Sequence, residues 1–223
     1  MIYELDLLDV TKIRHFLNFY EFSNFQDGRF SGPKSKNVKN NKQMIVDEHY
    51  HAASGMFLKC LCDDLYLSDL LSVRKFGSIY FLKYDEGMHY GFHNDHYLMS
   101  GTRTDYSATC FLSSPDEYEG GELCIVVGNQ ELKFKPEAGK MIVYPTGLRH
   151  KVNEVTKGSR KVVVFWIESS IQNTVIRNMH SELHVLWDKY NDRLLTEMPE
   201  VYEGILNLKF QLKRQFGNYE GLQ

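Results

Sequence analysis

Cysteine is scarce: the 223 residues contain four, Cys60, Cys62, Cys110 and Cys124, and none forms the C-x-x-C pair of a zinc site. They stand in apolar stretches such as FLKCLC and SATCFL and read as reduced core residues, because a free thiol packs as a small hydrophobe. An excess of positive charge is also missing. With 26 Lys and Arg against 29 Asp and Glu the net charge is −3 and the pI near 6.3, so no nucleic-acid partner is expected. No stretch approaches the roughly 18 apolar residues of a membrane span. The start, MIYELDLLDVTKIRHFL, carries acidic residues where a secretory signal needs basic ones, so the expected location is cytoplasmic, with no membrane partner. G-x-S-x-G, P-loop and G-x-G-x-x-G motifs are all absent, which removes the hydrolase, phosphoryl-transfer and Rossmann readings.

What is present is enough apolar residue, 43%, to bury one core, and the chain is expected to be a single domain over 1–223. Residues 1–75 read as a helical and loop region. In it, Val10, Ile13, Phe16, Leu17 and Tyr20 recur at helical steps behind Asp9 as cap, and 52–71 reads as one helix or two short ones. Between them, DGRFSGPKSKNVKNNKQ, from Asp27 to Gln43, suits a solvated loop or irregular edge.

The period then changes. Over 76–170, FGSIYFLKY, YSATCFLSS, GELCIVV, QELKFKP, KMIVYP and RKVVVFWIES are short β-branched and aromatic runs parted by turn residues, the pattern of a β sandwich or barrel. Gly128-Asn129 is placed to close a tight hairpin between GELCIVV and QELKFKP, and Gly120-Gly121 to open a strand. Helical spacing returns over 171–223, with Ile176, Met179, Leu183, Leu186 and Trp187 expected on one face and Pro199 interrupting the run. The expected class is mainly β with flanking helices, α+β.

In GFHNDHY, His93 and Asp95 lie two residues apart, so a strand or its end presents both on one face. A third ligand is offered by His150 in PTGLRHKV, 55 residues after Asp95 and just past the run KMIVYP. Two imidazoles and one carboxylate on one face of an iron(II) leave positions open for co-substrate and oxygen, as non-heme oxygenase chemistry requires. Alternation in RKVVVFWIE sets Arg160, Val162, Val164 and Trp166 on one side, and an arginine facing an apolar interior needs an anion. The far carboxylate of 2-oxoglutarate would meet that need in a bidentate fork while its 2-oxo acid end chelates the metal. Two other histidine pairs compete. His180 and His184 in HSELH lack a third ligand and read as surface residues; His49 and His51 in DEHYHA are the weaker rival metal site.

From about Asp27 to Ser170 the chain resembles the prolyl-4-hydroxylase-like 2-oxoglutarate dioxygenases, and among them the PKHD-type hydroxylases. The resemblance rests on FQDGRFSG with VKNN, YDEGMHYGFHND, RTDYSATCFLSSPDEYEGGEL, AGKMIVYPTGLRHKV and VTKGSRKVVVFWIES. It implies a double-stranded β-helix (jelly roll, cupin-like) core, and His93, Asp95 and His150 as iron ligands. It also implies Arg160 and Tyr84 on 2-oxoglutarate, O2 as oxidant and ascorbate as a reductant. Tyr90, Trp166 and Arg103 become candidates for the substrate side, Arg103 with a competing role in an ion pair to Asp105. The substrate implied is a prolyl residue in a protein or peptide. The alternatives are another side chain, a small molecule, or a non-catalytic cupin-type sensor of metal or carboxylate. The stretch after Ser170 matches no motif of the family, and the oligomeric state is left open.

Overall fold

The computed structural model describes residues 1–31 and 37–219. The N-terminal part runs β1 (Tyr3–Asp6), α1 (Val10–Phe22), β2 (Phe25–Asp27), a 3-10 turn at Gly28–Ser31, β3 (Lys39–Asn40), β4 (Lys42–Met44), α2 (Glu48–Asp63) and α3 (Leu65–Leu70). Strands then dominate: β5 (Val73–Asp85), β6 (His89–His93), β7 (Leu98–Met99), β8 (Thr102–Arg103), β9 (Tyr106–Phe111), β10 (Tyr118–Gly120) and β11 (Leu123–Val127). They continue as β12 (Gln130–Phe134), β13 (Lys140–Pro145), β14 (His150–Val152) and β15 (Val155–Ser169), before α4 (Thr174–Glu197) and α5 (Pro199–Phe216).

The larger sheet has the order β1-β13-β9-β15-β5-β4-β2, with β10 also on β15, and the smaller β12-β11-β14-β6-β3; every pairing in them is antiparallel. Alternation decides what each face of the larger sheet buries. Val163, Phe165, Phe81 and Cys110 face one cluster with Phe16 and Phe57 of α1 and α2. Val162, Tyr84, Phe111 and Ile142 face the other, where Leu123, Ile125 and Val152 of the smaller sheet meet them. Two antiparallel sheets closed over an apolar filling, with helices on the outer face, form the double-stranded β-helix with flanking helices that was expected.

Local chemistry sets the helix ends. Asp9, Asp47 and Asp64 accept from the backbone N–H three residues on, at 2.8, 3.0 and 2.9 Å. The expected helix over 52–71 is two, α2 starting at Glu48. Pro199 opens α5, where its missing N–H costs nothing. The hairpin at Gly128-Asn129 joins β11 to β12 with Val127 opposite Gln130, and Gly128 takes φ 59.

Four expectations need correction. The stretch 27–43 is not a solvated loop: outside residues 32–36, which lie beyond the described ones, it holds a 3-10 turn and strands that pair with β5 and β6. Lys39, Asn41 and Gln43 point inward at 8, 2 and 5% exposure, an alternation hidden because the inward residues are polar. His180 and His184 are buried, not on the surface. The inner face of α4 is Arg177, His180, Ser181 and His184, while Met179 and Leu186 are exposed. Cys110 and Cys124 are buried, but Cys60 is half-buried and Cys62 exposed, on the outer side of α2. Among the described residues no helix is long and apolar enough to cross a membrane.

Burial lowers the His180 pKa to about 4, below its ordinary value, so folding favours the neutral ring. Its contribution to stability is present above the unfolded pKa near 6.5 and is lost as pH falls toward the folded value. Urea midpoints of the metal-free protein should therefore drop between roughly pH 7 and pH 4.5, and less so in His180→Gln. An identical pH profile for the two proteins would remove His180 from the explanation.

Candidate active site

The sheet register brings the three candidate ligands together. His93 ends β6, His150 opens β14, and the two residues are directly paired across the ladder. Their rings stand 4.2 Å apart, centroid to centroid. Asp95 follows two residues after His93, with its carboxylate 3.7 Å from His93 Nε2 and 3.8 Å from His150 Nε2. One ligand atom from each lies within 4.8 Å of the others, and this is the one such His/Asp cluster among the described residues; His49 and His51 do not form another.

Each imidazole is set by a backbone carbonyl. His93 Nδ1 lies 2.9 Å from Gly91 O and His150 Nδ1 2.9 Å from Leu148 O. A carbonyl only accepts, so Nδ1 carries the proton and the neutral ring turns the Nε2 lone pair to the common centre. Burial and the neighbouring His150 hold the His93 pKa down at about 4, which keeps that ring neutral near neutral pH. Asp95 is anchored through one oxygen: Oδ2 accepts from Ser107 Oγ at 2.7 Å and from Trp166 Nε1 at 3.0 Å. Oδ1 accepts no hydrogen bond among the described residues and stays available to a cation. Neutral nitrogens with one carboxylate make a donor set that fits iron(II).

Arg160 lies on β15 of the larger sheet, opposite Tyr84 of β5, at 1% exposure. Its guanidinium sits 5.1 Å from the Tyr84 ring and 5.0 Å from the Phe111 ring. None of its three nitrogens has a hydrogen-bond partner among the described residues. A buried cation with five N–H donors and no acceptor fits a ligand that brings a carboxylate. Burial pushes the Tyr84 phenol up to about 12 against the pull of Arg160, so its O–H stays a donor.

Tyr90 stacks on the His93 ring at 3.6 Å and 11°, forming one wall of the site, with Lys39 Nζ 5.4 Å from the Tyr90 ring centroid. Trp166 turns its ring edge-on to Tyr80 and its N–H to Asp95, so it touches the site through the ligand. Arg103 is engaged elsewhere: it forks onto Asp105 (2.8 Å), donates to Ser169 O (2.6 Å) and pairs with Glu168.

Residues 79–168 match the 2OG-Fe(II) oxygenase superfamily. A PKHD-type hydroxylase of Thermosynechococcus vestitus is 35% identical over 190 residues, covering 82% of this chain and 85% of its own. The chain belongs to the PKHD-type hydroxylases. Another of these, from Gluconacetobacter diazotrophicus, is 35% identical over 217 residues, 93% of each chain. Among solved structures, a prolyl-4-hydroxylase of Pseudomonas putida shares the fold, with TM-score 0.53 and 18% identity over 75% of this chain and 92% of that one. The hydroxylase is thus a 2-oxoglutarate-dependent dioxygenase, an oxidoreductase using iron(II), 2-oxoglutarate and O2.

Two polar residues near the candidate site stand out only in the structure. Ser107, on Asp95, is one small residue in YSATCF, and only strand register singles it out. Tyr118, in DEYEGG, lies 3% exposed beside Arg160 and carried no signal beyond the two glycines after it.

Trp166→Phe keeps the aromatic packing of the hydroxylase but removes one of two hydrogen bonds to Asp95 Oδ2. Apparent iron(II) affinity should fall about 10- to 100-fold, read by metal titration with 2-oxoglutarate fixed. Unchanged affinity would show that Ser107 alone orients the carboxylate.

Proposed function

We propose that this dioxygenase hydroxylates a C–H bond of a prolyl residue in a protein or peptide, with His93, Asp95 and His150 as iron ligands and Arg160 and Tyr84 on 2-oxoglutarate. The reading is carried by one observation: a buried guanidinium without an acceptor stands in the same β-helix as three convergent ligand atoms. Support for the prolyl target comes from the fold shared with the Pseudomonas putida prolyl-4-hydroxylase.

Bound iron(II) with 2-oxoglutarate supplies the oxidant for a C–H bond, drawing on O2 and releasing succinate and carbon dioxide. The chain's own residues define where that happens. His93 and His150 offer fixed Nε2 lone pairs, and Asp95 offers Oδ1 while Trp166 and Ser107 hold Oδ2. Arg160 and Tyr84 bind the far carboxylate at the closed, apolar end, so the chelating end of the co-substrate is directed to the triad. Leu82, Ile125 and Val152 keep that end dry, which strengthens each charged contact. Tyr90, stacked on His93, offers a flat wall to a saturated ring, with Trp166 behind Asp95. Arg103 and Asp105 shape the loop before β9 rather than bind substrate.

Incubation with proline-containing peptide pools, iron(II), 2-oxoglutarate and ascorbate tests the reading. The expected result is succinate formation coupled to a one-oxygen mass gain on proline. Coupled turnover only with substrates that lack proline would overturn the prolyl assignment and leave the dioxygenase.

A further inference from the structure

We propose that Tyr118 is a further anchor for the distal carboxylate of 2-oxoglutarate, donating its O–H to the carboxylate held by Arg160 and Tyr84; this rests on the assignment of Arg160 above. Tyr118 opens β10 and pairs with Gly158 of β15, two residues before Arg160. Its side chain is buried and its hydroxyl has no hydrogen-bond partner among the described residues. Two orphaned polar groups, a phenol and a guanidinium, therefore stand side by side. They are near enough for Arg160, through its charge and a weak side-chain contact, to oppose the upward push of burial on the phenol, but the contact falls short of full hydrogen-bond geometry.

The surroundings hold the pair in place and supply no acceptor. Phe111 lies under the guanidinium, and Leu82, Leu123, Val155 and Val162 belong to the same apolar cluster. Lys135 closes the outer side, its Nζ 4.3 Å from the Tyr118 ring and donating to Tyr118 O at 2.7 Å. Gly121 seats both side chains: at φ 66, a Cβ there would stand 3.0 Å from Tyr118 Cε2, 3.2 Å from Arg160 Cδ and 2.9 Å from Val155 Cγ2. The chain thus gives up a side chain at Gly121 where Tyr118 and Arg160 converge.

A guanidinium only donates, and a phenol kept protonated by burial also donates. What satisfies both is an acceptor with several lone pairs, and a carboxylate has about four such sites. The Arg160 fork takes two of them and the Tyr118 hydroxyl a third. Lost hydrogen bonds to a charged group are the costly kind, so the contribution should be measurable in binding alone.

The test is anaerobic titration of iron(II)-loaded wild type and Tyr118→Phe, reading the visible charge-transfer band of the chelate. The two ligands are 2-oxoglutarate and 2-oxopentanoate, which keeps the chelating end and the length but ends in a methyl group. Tyr118→Phe should weaken 2-oxoglutarate binding roughly 10- to 100-fold and leave 2-oxopentanoate unchanged. Unchanged affinity for 2-oxoglutarate, or equal loss for both ligands, would overturn the inference. Arg160→Met, run in parallel, separates the layers. Loss in Arg160→Met alone sinks only Tyr118, and loss in neither variant sinks the Arg160 assignment as well. Should Tyr118→Phe not fold, wild-type protein carrying 3-fluorotyrosine at position 118 and zinc(II) in place of iron provides a second reading. Its fluorine resonance should shift with 2-oxoglutarate and not with 2-oxopentanoate, and the same shift with both would count against a carboxylate contact.

Discussion

Arg160→Met should abolish saturation by 2-oxoglutarate at accessible concentrations and, at the same time, raise the thermal midpoint of the metal-free protein. The two effects have one cause. Burying a guanidinium without an acceptor costs several kcal/mol, while stacking over two rings returns only about 0.5 to 2 kcal/mol for each. Replacing it by an apolar side chain of similar length is expected to be neutral or stabilising by about 1–4 kcal/mol. Binding pulls the other way, because a charge-assisted fork onto a carboxylate is worth about 1.5–3 kcal/mol per hydrogen bond, so the requirement for 2-oxoglutarate should rise roughly 100-fold or more. Thermal scans with and without iron(II) and 2-oxoglutarate check both halves. Ligands should raise the wild-type midpoint and leave that of the variant nearly unmoved. A variant less stable than wild type without ligands would mean that the ring contacts outweigh the desolvation.

Asp95→Ala should bring succinate formation down to the rate without enzyme. It removes the one anionic ligand atom of the cluster, and iron(II) affinity should fall by more than the roughly 10- to 100-fold that loss of an outer partner costs. It also strips Ser107 and Trp166 of their shared acceptor: Ser107 Oγ can still donate to Thr146 Oγ1 at 3.1 Å, but the buried Trp166 N–H is left unpartnered at about 1–3 kcal/mol. Asp95→Asn keeps an oxygen for those donors, so it should recover stability without recovering turnover. Measurable succinate from Asp95→Ala in the presence of 2-oxoglutarate would place the iron elsewhere.

His93, Asp95 and Arg160 could be singled out as candidates because that depends on two short-range rules, side-chain alternation in GFHND and the sign of charge inside an apolar strand in RKVVVFWIE. The β core was readable for the same reason, since β5, β9 and β15 are long runs of β-branched and aromatic residues. The pairing of His93 with His150 was not readable: it depends on β6 and β14 being neighbours, which no local pattern encodes. The strands at Lys39–Met44 escaped because their inward side chains are Lys39, Asn41 and Gln43. The inner face of α4 escaped likewise, since a periodicity sought in apolar residues misses a stripe of Arg177, His180, Ser181 and His184. Most polar groups in an interior are met by partners from distant elements, and distant partners are what a sequence window omits.

That stripe, with Lys209 of α5, ties the C-terminal helices to the loop before β9 and to α3 by directed polar contacts: Arg177 to Asp105 at 3.0 Å, Ser181 to Leu70 O at 2.7 Å, and His184 and Lys209 to Asp69 at 2.8 Å each. Polar attachments are lost together, because releasing one leaves its neighbours buried without partners. In amide hydrogen exchange, α4 and α5 should therefore behave as one sub-globally opening unit, with a common free energy below that of β9 and β15. Asp105 also grips Arg103 and Ser169, so the same opening frees the loop that precedes β9, which carries Ser107 toward Asp95. Slow opening of a helical pair outside the barrel should thereby loosen the Ser107–Asp95 contact inside it.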